Sequence, residues 1–99
     1  GKAKVIHNLL KHFPRRKFVL IGDSGEVDPE MYGRLARQNP DQVAAIYIRV
    51  LEPRPLNDQR LLKAFGGLSK THVKTFRYPS ELPANLSSLA SADSVLVGG

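Results

Sequence analysis

Apolar positions along the chain switch between two spacings. Val5, Ile6, Leu9, Leu10 and Phe13 recur at i, i+1, i+4, i+5 and i+8, one stripe of an amphipathic helix. Phe13-Pro14 ends it, because the residue before a proline is pushed out of the helical region. Phe18-Val19-Leu20-Ile21 is instead a short unbroken run stopped by Gly22, the pattern of a strand covered on both faces. Asp28-Pro29-Glu30 opens a second helix whose inner stripe is Met31, Tyr32, Leu35 and Ala36. Val43 to Ile48 reads as a second buried strand, and Glu52-Pro53-Arg54-Pro55 as loop. Leu61, Leu62 and Phe65 mark a third helix closed by Gly66-Gly67. Val73 to Tyr78 is more polar and fits an edge strand, and a last, weak helix is expected over residues 84–91.

Alternation of helix and strand implies right-handed crossovers and an α/β fold: a three-stranded parallel sheet flanked by helices on both faces. No repeat, low-complexity tract or boundary interrupts residues 1–99, so a single domain is expected. Ligands of open α/β sheets bind beyond the carboxyl ends of the strands. Two segments fall there, Gly22 to Asp28 and the stretch that begins with Arg49.

Composition sharpens this picture at a few points. With 41% hydrophobic and 24% charged residues the chain is a globular type, not a disordered one. The apolar runs are far too short to span a bilayer as a helix. The chain holds no cysteine, which excludes disulfides and thiolate metal sites and fits a cytoplasmic setting. No secretory signal is visible, and a first residue Gly reads as a piece cut from something longer. The net charge is +6, and residues 1–17 carry Lys2, Lys4, Lys11, Arg15, Arg16 and Lys17 with no acid. Such a patch suits an anionic membrane surface or nucleic acid, or is a solvated helix face that aids solubility.

Against that basic background, four of the nine acids (Asp23, Glu26, Asp28 and Glu30) crowd into eight positions after the first strand. Two like charges about 4 Å apart repel by roughly 4 kcal/mol at an effective dielectric near 20, so the cluster needs solvent, a cap or a cation. Magnesium takes one or two carboxylates together with waters and phosphate oxygens, which two acids on a strand-to-helix loop can offer. Gly22 and Gly25 let the backbone turn sharply and approach a ligand. Asp28 before Pro29 is equally explained by N-capping, Glu30 as a surface acid at the helix start, and Glu26 as a solvated loop tip. Asp23 has no capping partner in obvious reach. Tyr32 is expected to pack its ring into the core. Arg49 either contacts a substrate phosphate or pairs with Asp23 across the strand ends.

The stretch from Lys2 through Ile6, Leu9-Leu10, Phe13-Pro14 and FVLIGDSGEVDPEMY, continued by Pro40-Asp41-Gln42-Val43 and Ala45 to Arg49, resembles the catalytic region of the actin-patch-type phosphatidate phosphatases. These belong to the haloacid-dehalogenase-like (HAD-like) superfamily, with a Rossmann-like sheet. The resemblance is strong over residues 2–49 and persists beyond only as βα rhythm. It implies Mg²⁺ held by the acidic motif Gly22-Asp23 with Asp28, and a lysine pairing with phosphate and with the nucleophile's carboxylate. By alignment to Ile6 and Phe13-Pro14 that lysine is Lys2, with Lys4 as the alternative. Ser24, Gly25 and Arg49 are then candidate substrate contacts. The implied substrate is a phosphate monoester or phosphatidate-like lipid.

One departure bears on mechanism. The superfamily's nucleophile is the first Asp of an Asp-x-Asp-x-Thr stretch, and no such stretch occurs here. The chain therefore reads as the carboxyl-side half of the catalytic domain, inactive alone. A second reading is a non-catalytic basic module that binds anionic lipid or nucleic acid, although no aromatic interleaving supports base readout. A third is a serine hydrolase of the Gly-Asp-Ser class with Ser24 as nucleophile. It lacks its base: His72 is preceded at the required spacing by Ser69 instead of an Asp, and His7 and His12 lie on or near the first helix.

Overall fold

The computed structural model describes residues 1–52 and 54–87, together with the backbone of residues 95–98. In chain order the elements are α1 (Lys2–His12), β1 (Phe18–Asp23), α2 (Asp28–Gln38), β2 (Val43–Arg49), α3 (Asp58–Phe65) and β3 (His72–Phe76). A 3-10 turn (Pro79–Glu81), α4 (Ala84–Ser87) and β4 (Val95–Gly98) follow. The sheet order is β3-β2-β1-β4, with β1, β2 and β3 parallel as expected. β4 pairs antiparallel with the other edge of β1, an addition the hydrophobic pattern did not predict. Of the helix expected over 84–91, residues 84–87 form α4 and the remainder lies outside the described residues.

The helices are distributed less evenly than expected. Side chains from α1 (Ile6, Leu10), α2 (Met31, Tyr32, Leu35, Ala36) and α3 (Ala64, Phe65) join Phe18, Leu20, Ile46 and Ile48 in one core layer. All three long helices thus cover the same face. Handedness explains α2 and α3: β1, β2 and β3 are laid down in one direction, so the two right-handed crossovers return on one side, where α1 packs as well. The opposite layer contains Ile21, Ala45, Tyr47 and Phe76, joined among the described residues by Leu82 and Leu86.

Helices α2 and α3 meet along a seam with three rungs. Glu30 faces Arg60. One turn on, Gly33 lies against the Ala64 backbone. Farther on, Arg37 donates to the carbonyl oxygens of Gly66 at 2.9 Å and Lys63 at 3.4 Å, at the negative end of α3. Leu62, read from sequence as an inner position of α3, is instead 73% exposed.

Local chemistry moves two strand ends. Gly22 does not stop β1, because a side chain there would sit 2.6 Å from Asp28 Oδ2 and 2.8 Å from the Tyr32 ring; glycine lets the strand run on to Asp23. Tyr32 is fully buried and donates its hydroxyl to the Ile21 carbonyl at 3.0 Å, so its ring is core. β3 ends at Phe76 and not at Tyr78, since the Arg77 and Tyr78 N–H groups both donate to Glu81 Oε2 at 2.7 Å.

Those two backbone bonds hold the Glu81 carboxyl below the usual glutamate range. A depressed folded-state pKa means the turn's stabilisation is complete above the unfolded value, about 4.3, and is lost as pH falls through the lower folded value. The Arg77 and Tyr78 amide signals are expected to move together below about pH 4, and to be insensitive to acid in Glu81→Gln. Among the described residues, no helix is long and apolar enough to cross a membrane.

Candidate functional site

The loop between β1 and α2 is built around two carboxylates. Asp23 closes β1, in register with Arg49 at the end of β2. Its Oδ1 accepts the Gly25 N–H at 2.9 Å, an Asx-type turn, and its other oxygen takes no hydrogen bond among the described residues. A side chain at Gly25 would press on that same Oδ1 at 3.2 Å and on Leu51 at 3.4 Å.

Asp28 is the buried member, 1% exposed. Its Oδ1 accepts from Lys2 Nζ at 3.1 Å and its Oδ2 from the Asp23 N–H at 3.1 Å. It is not the N-cap that its place before Pro29 suggested. The cap position falls on Val27, with no side-chain bond to the helix. The carboxylate turns back to the end of β1 because α1 delivers an ammonium there, and a charged partner outweighs a neutral cap N–H.

Lys2 of α1 is therefore linked, through Asp28, to the end of β1. Its side chain is 29% exposed, and Glu26 Oε2 stands 3.6 Å from the same ammonium. Partial burial pulls the Lys2 pKa down, but the hydrogen bond and charge of Asp28, helped by Glu26, prevail and hold it above the usual lysine value. Lys4, the alternative, lies in the shallow hollow between α1 and α2 with His7, Met31 and Arg34.

Ser24 and Gly25 have their donors engaged within the protein. Ser24 is fully buried; its N–H donates to the Arg49 carbonyl at 2.9 Å, and its hydroxyl accepts the Leu51 N–H at 2.8 Å. That hydroxyl also donates to the Leu51 carbonyl at 3.4 Å. Ser24 thus splices the loop to the strand end of β2, with its hydroxyl bonded to the Leu51 N–H and carbonyl. The Gly25 N–H goes to Asp23, and the Gly25 carbonyl accepts from Arg54 at 3.3 Å. Arg49 behaves differently. Its Nε is buried without a hydrogen-bond partner, and no ion pair joins it to Asp23 among the described residues.

Sequence reasoning missed Arg60. From α3 it donates to both oxygens of Glu30, at 3.1 and 3.0 Å, and to the carbonyls of Ser24 and Glu26, each at 2.8 Å. Glu30 is accordingly a tethered residue, not a free surface acid. The one signal available was Asn57, whose Oδ1 caps α3 by accepting the Arg60 N–H at 2.8 Å.

As a metal site the donors are hard carboxylate oxygens, the type magnesium prefers. Asp23 brings an oxygen without a partner among the described residues. Asp28 has both oxygens engaged and is nearly inaccessible. The described residues contain no group of three or more ligating side chains, so they offer only part of a coordination shell. A groove of about 510 Å³ between α3 and β3 is lined by Leu61, Phe65, Leu68 and Val73 and touches none of the loop acids; the polar chemistry is at the strand ends instead.

Residues 1–50 match the family described as phosphatidate phosphatase APP1, catalytic domain. Over 48 residues the chain is 56% identical to the phosphatidate phosphatase APP1 of Saccharomyces cerevisiae, an alignment spanning 48% of this chain and 8% of the yeast protein. No solved structure matches the chain. The matched segment contains Lys2, Asp23, Asp28 and Arg49, and it stops short of Arg60. With half its length in that match, the chain belongs to the family of the phosphatidate phosphatase APP1 catalytic domain.

Proposed function

We propose that this chain, as one α/β unit over residues 1–99, is the carboxyl-side half of a HAD-like, Mg²⁺-dependent phosphomonoesterase domain acting on phosphatidate or a similar lipid phosphate. The observation that carries the reading is the linked set Lys2–Asp28–Asp23 at the carboxyl end of a parallel sheet, inside the matched residues. In this reading Asp23 offers its unpartnered oxygen to the ion. Asp28 is a positioning residue that holds the Asp23 backbone and Lys2 in place. Lys2, still partly exposed, presents its remaining N–H donors to a phosphate oxygen, and Arg49 Nε is a second donor, without a partner among the described residues. Bound Mg²⁺ would supply charge neutralisation at the phosphate. No residue here supplies the attacking carboxylate of an Asp-x-Asp-x-Thr stretch, so the 99-residue chain alone is expected to release no phosphate. A cytoplasmic setting belongs to the same reading.

The test is a Mg²⁺ titration of the chain followed by amide NMR. Saturable shifts at Gly22 to Gly25 that vanish in Asp23→Asn support the metal reading. Signals that stay in place in the wild-type chain overturn it.

A second reading has its own observation. Lys4, Lys11, Arg15 and Arg16 are exposed, and no ion pair engages them among the described residues. This basic surface would lie on an anionic membrane, where each cation near the surface contributes about 1 kcal/mol. Binding to phosphatidate-containing vesicles that falls steeply with salt and ignores Asp23→Asn identifies this surface as the one engaged, without bearing on the metal.

A further inference from the structure

Arg60 carries an inference that rests on the metal reading above and goes beyond it. Its side chain is 18% exposed, and the guanidinium makes four hydrogen bonds, two to one carboxylate and two to backbone carbonyls. The bidentate fork on Glu30 fixes the plane of the group, and only a planar guanidinium then reaches two carbonyls with its remaining donors. Those carbonyls belong to Ser24 and Glu26, the residues on either side of Gly25. Gly25 in turn donates to Asp23 Oδ1. An unbroken chain of bonds therefore runs from Glu30 on α2 through Arg60 on α3, across the Gly25 turn, to the carboxylate that closes β1. Glu30 neutralises the arginine, so the clamp places little net positive charge beside the loop.

We propose that Arg60 is a positioning residue for a divalent cation at Asp23. It holds the Gly25 turn in the curvature that ties down Oδ1 and leaves the other oxygen without a partner among the described residues. A ligand preset in this way loses less conformational entropy when the ion arrives.

Charge alone makes the opposite forecast. Removing a cation from the neighbourhood of an acidic loop should tighten Mg²⁺ binding or leave it unchanged. A positioning role weakens it, and loss of a group that orients a metal ligand typically costs about ten- to hundredfold in affinity.

The experiment titrates Mg²⁺ into the wild-type chain, Arg60→Gln and Arg60→Lys, reading the Gly22 to Gly25 amide shifts together with hydrogen exchange. Both variants are expected to bind Mg²⁺ about tenfold more weakly. The Gly25 amide should lose protection while Leu20 and Ile46 in the sheet keep theirs. Arg60→Lys retains the charge, so its loss of affinity is geometric; it also decides the matter should Arg60→Gln not fold. Affinity equal to or tighter than wild type in a folded variant overturns the inference and leaves the metal reading standing. No Mg²⁺ response in the wild-type chain overturns both.

Discussion

Asp28→Ala is expected to destabilise the chain by about 3 kcal/mol, with Asp28→Asn costing about half as much. The carboxylate is 1% exposed and serves two donors, the Lys2 ammonium and the Asp23 N–H. Alanine leaves the Asp23 N–H without its acceptor, a penalty of about 1–3 kcal/mol. Breaking a fully buried ion pair costs about 3–5 kcal/mol, but Lys2 is 29% exposed and can turn to Glu26 or water, so only part of that applies. Asparagine keeps an oxygen for the Asp23 N–H but sets an amide NH2 where Lys2 had its acceptor, so it loses the charge and that one hydrogen bond. A simple N-cap forecasts a different pattern: about 1 kcal/mol for alanine and almost nothing for asparagine, which caps as well as aspartate. Urea unfolding of the three proteins at neutral pH separates the two. A midpoint for Asp28→Asn equal to wild type would return Asp28 to the role of a cap.

Element types were legible because they depend on neighbours in sequence. The runs Phe18 to Ile21 and Val43 to Ile48 announce buried strands, and the stripe through Ile6 and Leu10 announces α1; the structure places them so. What could not be read depends on partners far along the chain. Ser24 meets Leu51 across 27 residues and Arg60 meets Glu30 across 30, and the Asn57 cap marks the start of α3 without marking where the Arg60 side chain goes. Asp28 shows the limit most clearly. Its dipeptide with Pro29 is a sound local signal for a cap, but Lys2, 26 residues away, turns the carboxylate elsewhere. The face on which the helices lie was likewise a matter of topology: β1, β2 and β3 follow one another across the sheet, which strand periodicity does not encode.

The opposed charges in the chain take on a single sense in this light. The acidic loop is not screened by solvent alone. Lys2 holds Asp28 from one side and Arg60 holds Glu30 from the other, and Asp23 keeps one oxygen that no described residue engages. The cations nearest the loop come from α1 and α3, which pack on the same face of the sheet. A loop with its outer acids neutralised and its first acid free has lost most of the self-repulsion that a bare cluster would carry.

Gly33→Ala tests whether the spacing of the helices sets this arrangement. On helix propensity alone the change should stabilise α2 by about 1 kcal/mol. The structure forecasts the reverse, because a side chain at Gly33 would fall within the contact radius of the Ala64 carbonyl oxygen, a backbone atom that cannot rotate away. Overpacking of this kind costs about 1–3 kcal/mol and sometimes more, so a net loss of about 2 kcal/mol and a fall in Tm of roughly 10 °C are expected. The consequence for the site follows from position. Gly33 is one helical turn from Glu30, and Ala64 one turn from Arg60, so pushing α2 and α3 apart at this rung lengthens the Glu30–Arg60 contact above it. Gly33→Ala should therefore loosen the Gly25 amide as Arg60→Lys does, from a substitution that touches neither the loop nor its charges. A higher Tm with an unchanged Gly25 amide would show that the two helices do not approach as closely as the seam requires.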